Sequence, residues 1–95
     1  MNENYIESVE SILENKIKNE RWNEYPVCCT FDCEEDGSEM IVHKIVYSKD
    51  IWGDIRPMLS VQIREKELTL YGIYSVEHFI KTFGEDVLNI VIEEI

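Results

Sequence analysis

The chain has 95 residues, 20 of them acidic and nine basic, giving a net charge of −11 and a pI near 4.4. That length allows one compact domain over residues 1–95, and an apolar fraction of 44% supplies one modest core. The charge argues against direct nucleic-acid binding, which needs Lys and Arg to neutralise phosphates, and favours a basic protein as partner. No apolar run approaches the roughly 20 residues of a membrane span. MNENYIESVE has neither the basic start nor the apolar stretch of a signal peptide. Cys28, Cys29 and Cys33 are an odd set in one short segment, a poor disulfide framework. A cytoplasmic protein is therefore expected.

From about Asn4 to Arg21, the residues Ile6, Val9, Leu13 and Ile17 recur at the helical period and predict an amphipathic helix. From Tyr25 the period becomes two. Tyr25, Val27, Cys29, Phe31 and Cys33 fall on one side of a strand, Cys28, Thr30, Asp32 and Glu34 on the other. A second alternating stretch, Glu39 to Ser48, is joined to it by Asp36-Gly37, a two-residue hairpin signal. That turn sets Cys33 opposite Met40, Phe31 opposite Val42 and Val27 opposite Val46. It leaves one misfit, Lys44 opposite Cys29 on the apolar side.

Lys49 to Pro57 reads as a loop. Strands follow over Met58–Arg64 and from about Glu67 to Tyr74, and a turn at Glu65-Lys66 pairs Ile63 with Leu68 and Val61 with Leu70. Ser75 is an N-cap for a second helix carrying Val76, Phe79, Ile80 and Phe83, which Gly84 ends or kinks. Residues 85–95 read as a third helix through Val87, Leu88, Val91, Ile92 and Ile95, although Ile90-Val91-Ile92 also suits a strand.

The expected fold class is α+β: an N-terminal helix, a four-stranded antiparallel meander sheet and one or two C-terminal helices, in two layers. In that arrangement Ile41, Ile45, Tyr47, Met58, Tyr71 and Ile73 point away from the helices. Unless the first and last helices take opposite sheet faces, these groups form an apolar interface, with Trp52 of the preceding loop as a candidate anchor.

The acidic residues are unevenly placed. Residues 1–39 hold eleven acids and three bases, net −8, and residues 40–95 hold nine and six, net −3. Glu34, Glu35, Asp36 and Glu39 crowd the hairpin tip, where Glu34 opposite Glu39 is repulsive. Glu3, Glu7, Glu10 and Glu14 fall within roughly 60° of arc on the first helix and form a line about 16 Å long, with a rise comparable to the spacing of phosphates along a strand.

Metal and catalytic readings are weak. Asp32-Cys-Glu-Glu-Asp-Gly begins like a calcium loop, but its twelfth position is His43 and its flanks read as strands. Cys29 and Cys33 lie roughly 13 Å apart along a strand, and with His43 and His78 they do not converge as zinc ligands do. No P-loop, G-x-S-x-G or H-E-x-x-H is present. A Cys28–His43 pair across the hairpin is not directly opposed, since His43 faces Thr30. No metal, no cofactor and no enzymatic activity are expected.

In size, charge and helix–sheet–helix order, the whole chain resembles the small acidic inhibitors that phages use against host defence, some anti-CRISPR proteins among them. That resemblance implies a nucleic-acid mimic that blocks a DNA-binding groove with carboxylates. The expected function is a non-enzymatic inhibitor of a basic nucleic-acid-handling protein. Glu3, Glu7, Glu10, Glu14, Glu34, Glu35, Asp36 and Glu39 would be its binding residues. Two alternatives stand beside it: an immunity protein against a basic toxin nuclease, and a homodimeric subunit associating through the apolar outer sheet face.

Overall fold

A computed structural model describes residues 3–32, 35 and 37–95. The elements are α1 (Glu3–Ile17), β1 (Glu24–Asp32), β2 (Glu39–Lys49), β3 (Ile55–Glu65), β4 (Leu68–Ser75), α2 (Val76–Phe83) and α3 (Glu85–Glu94). The strands form one antiparallel sheet in the order β1-β2-β3-β4. The α+β order expected from the hydrophobic periods is the observed one, and the ambiguous C-terminal segment is helical. Ser75 Oγ accepts a hydrogen bond from the His78 amide at 3.2 Å and starts α2. Gly84, at φ +100°, turns the chain from α2 into α3 in a conformation that disfavours any side chain.

Val9, Leu13 and Ile17 of α1, Val76 and Phe79 of α2, and Leu88 and Val91 of α3 bury in a single core with Val27, Cys29, Val42, Ile45, Leu59 and Val61 of the sheet. All three helices therefore cover one sheet face, and the domain has two layers. Each fully buried Leu, Ile or Phe there contributes about 1.5–3 kcal/mol.

The register departs from simple alternation, and this changes which residues face outward. Cys29 pairs with Val42 and Val42 with Val61; further along, Tyr25 pairs with Ile45 and Ile45 with Leu59. Between those two levels β1 advances by four residues, β2 by three and β3 by two. The odd step on β2, centred on His43, is a β-bulge that reverses the faces of that strand. Met40 and Val42 face the helices before it, Ile45 and Tyr47 after it. The expected outward orientation of Ile45 and Tyr47 is thus overturned: Ile45 is 0% exposed and Tyr47 packs against the core. The same reversal removes the Lys44 misfit. Lys44 moves to the outer face, where its Nζ lies 3.0 Å from Glu24 Oε1.

Other boundaries shift with it. Met40 faces Phe31 rather than Cys33, and Val46 faces Glu24 rather than Val27. The β3–β4 turn falls on Lys66-Glu67, with Lys66 at φ +48°, so Ile63 pairs with Leu70 and Val61 with Gly72. That slip is two residues, so the faces of β4 are unchanged. β3 begins at Ile55, inside the segment expected to be a loop. Pro57 pairs with Tyr47 of β2 but lies beyond the end of β4, whose last pair is Met58 with Ser75, so a proline there breaks no β3–β4 bond. α1 ends at Ile17, short of Arg21, and Trp22 is exposed beneath the Arg21 guanidinium, 5.0 Å from its ring.

Candidate interaction surfaces

The helical side of the molecule is acidic. The three helices carry nine acidic residues against Lys16 and Lys81, net −7, on one side of the sheet. The predicted line on α1 is not uniform along its length. Glu3 and Glu7 are exposed. Glu10 is half-buried, and its Oε2 accepts from Arg56 Nη1 at 3.4 Å. Glu14 accepts from the Tyr47 hydroxyl; burial of Tyr47, then that bond and the Glu14 charge, push the phenol above its ordinary range. Glu10 and Glu14 are thereby tied to the sheet, although Glu14, like Glu3 and Glu7, stays exposed. Beside α1, the Tyr5 hydroxyl donates to Asn89 Oδ1 of α3. Burial, followed by the charges of Glu85 and Asp86, raises the Tyr5 phenol.

At the hairpin tip Glu35 is exposed, and Glu34 and Asp36 lie outside the described residues. Glu39 stands opposite Asp32 on one side and Arg64 on the other, with Arg64 Nη1 at 4.0 Å. Asp32 therefore sets a like charge against Glu39, and Arg64 offsets it; the expected opposition of Glu34 to Glu39 lies outside the described residues.

The outer sheet face is apolar at its β4 end. Tyr71 is 76% and Ile73 52% exposed, and Ile41 is half-buried in the strand next to the other edge. Trp52, 74% exposed, stands with Ile51, 87% exposed, on a short loop between β2 and β3. That loop has a built shape. Asp50 Oδ1 accepts from the amides of Trp52 at 2.9 Å and Asp54 at 3.0 Å, and Asp50 Oδ2 accepts from Arg56 Nε at 2.7 Å. Burial alone would raise the Asp50 carboxyl; the two amides and the Arg56 guanidinium outweigh it and hold the group below the usual carboxylate range. Arg56 is in turn held charged, first by Glu10 and also by Asp50, against the effect of its own burial. One arginine thus links α1 to the loop that presents Trp52. Between that loop and α2 runs a groove of about 440 Å³, lined by Ile51, Trp52, Met58 and Ile73 with His78 and Lys81 at its rim.

Sequence reasoning missed Ile51, Leu68 and Leu70 as exposed apolar groups. A signal was present. Leu68–Ser75, LTLYGIYS, is an uncharged run of eight in a chain whose charged fraction is 31%.

The bulge also relocates the residues with chemical potential. Val27 and Cys28, not Thr30, stand opposite His43. His43 Nε2 lies 2.6 Å from Gln62 Oε1, so it is the ring nitrogen that donates there, and it is turned toward the amide. Cys28 is exposed and Cys29 buried. Burial, followed by Glu94 and Cys28, raises the Cys29 thiol. Among the described residues, no group of three or more His, Cys, Asp or Glu is placed to hold a metal ion, and no helix is long and apolar enough to cross a membrane. No protein-family model matches this chain, no curated protein matches it, and no solved structure matches it.

Proposed function

We propose that this protein is a non-enzymatic binding protein whose acidic helical side occupies a basic surface of a partner. The groove of a nucleic-acid-handling protein, blocked by a nucleic-acid mimic, is the form of that reading which the charge favours. One observation carries it: all three helices lie on the same sheet face, so a net charge of −7 is gathered on one side of a small domain. Such a field accelerates encounter with a cationic groove and repels nucleic acid itself. The free thiols Cys28 and Cys29 suit a reducing, cytoplasmic setting for that encounter.

The test is a tagged pull-down from a nuclease-treated lysate, eluted in steps of rising salt. A basic nucleic-acid-handling protein released at moderate salt is the expected catch, because screening weakens charge-driven contacts. Changing Glu3, Glu7, Glu85 and Asp86 to their amides should weaken that complex at least tenfold, roughly 1.4 kcal/mol. The variant leaves Glu10 and Glu14 to hold Arg56 and Tyr47, so the fold is kept. Undiminished affinity, or a partner retained at high salt, refutes the helical side as the binding surface. A captured toxin nuclease in place of a host enzyme makes the same surface that of an immunity protein.

A further inference from the structure

The sheet has two edges, and they are built differently. β1 carries Pro26, a register shift between Pro26 and Cys29, and charges at Glu24 and Asp32. Prolines, bulges and charges blunt an edge against the addition of another strand. β4 has none of them. Its run LTLYGIYS holds no charge and no proline, and its pairing with β3 is unbroken from Glu65–Leu68 to Met58–Ser75.

The turn fixes which backbone groups of β4 remain free. Glu65 and Leu68 close a two-residue loop, and the pair that closes such a loop is a hydrogen-bonded one. Bonded and non-bonded pairs then alternate, so Leu68, Leu70, Gly72 and Tyr74 turn their N–H and C=O groups toward β3. Thr69, Tyr71 and Ile73 turn theirs to the open edge, where the sheet order leaves no neighbouring strand among the described residues.

The side chains there are correspondingly unburied. Leu68, Leu70 and Ile73 are about half exposed, Tyr71 more so, and Ile51 and Trp52 extend the surface along the groove. At roughly 150–250 Å² for a whole aromatic side chain and about 60–120 Å² for an aliphatic one, their exposed portions amount to roughly 400–650 Å². A stable interface takes about 800 Å² from each partner, and the backbone edge and polar rim make up the difference.

We infer that β4 pairs antiparallel with β4 of a second copy of this chain, joining two four-stranded sheets into one of eight strands. A second copy fits because the edge is complementary to itself. A two-fold axis normal to the sheet sets an uncharged strand against its own image, free donors against free acceptors. That condition is demanding for a chain of net charge −11, whose copies repel through most other surfaces. The same axis keeps both helical layers on one side of the joined sheet, so the dimer displays two layers of net charge −7 side by side. The pairing does not depend on the proposed partner and is tested apart from it.

Sedimentation velocity of the full chain, from about 5 to 500 μM, reads the outcome at roughly 50 and 500 mM NaCl, where the screening length differs about threefold. Mass should rise from 11.3 kDa to twice that value with concentration. The dimer should tighten several-fold at the higher salt, because screening relieves repulsion between copies. Tyr71→Pro removes an edge N–H that β3 does not use, and Ile73→Lys sets like charges across the axis. Each should weaken the dimer at least tenfold with unchanged far-UV circular dichroism. If the proline variant fails to fold, the lysine variant decides. A monomer at every concentration and both salts, a dimer loosened by salt, or a dimer unmoved by the folded variants overturns the inference. The first of those outcomes leaves the edge to a strand of another protein.

Discussion

Ile41 and Ile45 lie four residues apart on one strand, and an unbroken strand would set them on the same face. The bulge at His43 sets them on opposite faces, with Ile45 at 0% exposure in the core and Ile41 half-buried on the side that carries no helix. Truncating each to alanine separates the two geometries. Ile45→Ala deletes three buried carbons, about 2.4 kcal/mol of transfer free energy at about 0.8 kcal/mol each. A residual cavity of about 50 Å³ adds about 1 kcal/mol at 24 cal/mol per Å³, for a total near 3.5 kcal/mol. Ile41→Ala removes groups that water already reaches and should cost about 1 kcal/mol or less. In a domain of this size the difference corresponds to roughly 10–20 °C in Tm. Urea unfolding followed by far-UV circular dichroism, with the m-value unchanged between variants, reads both numbers directly. Equal losses, or a larger loss at Ile41, would refute the face reversal and every placement that depends on it.

Two further expectations follow from titratable groups. Asp50 has its folded pKa depressed, so its contribution to stability is present above the unfolded value of about 3.9 and is lost as pH falls through the lower folded value. The Trp52 and Asp54 amide resonances, both bonded to Asp50 Oδ1, should hold steady through the range where exposed carboxylates titrate and then move together below it. A midpoint at the ordinary carboxylate pKa would show that the loop is not held as described. In a Cys33→Ser background, one thiol should react at once with a disulfide reagent and the second only after unfolding. Cys28 is exposed, whereas Cys29 is buried with its thiolate disfavoured. Two fast thiols in the native protein would refute the placement of Cys29.

Local periodicity determined the element order and class of this fold. Helical spacing of Val9, Leu13 and Ile17, the cap at Ser75, the break at Gly84 and the period of two in four strands are short-range signals, and each element they imply is present, although α1 stops at Ile17, β3 starts at Ile55 and the alternation of β2 breaks at His43. The acidic character was equally legible, because charge is a property of composition. Register was not legible, because a single added residue on β2 reverses every later side chain while leaving the local pattern of apolar and polar residues plausible on either face. Lys44 was the trace of that bulge in the sequence, an ammonium on a face otherwise apolar. Only the packing of β2 between β1 and β3 decided that Lys44 reaches Glu24 while Ile45 enters the core. Only tertiary structure, too, gathered the three helices on one sheet face. That choice depends on which apolar stripe meets which side of the sheet, a long-range contact that no window of the chain contains. It separates the acidic side of the molecule from the uncharged β4 edge.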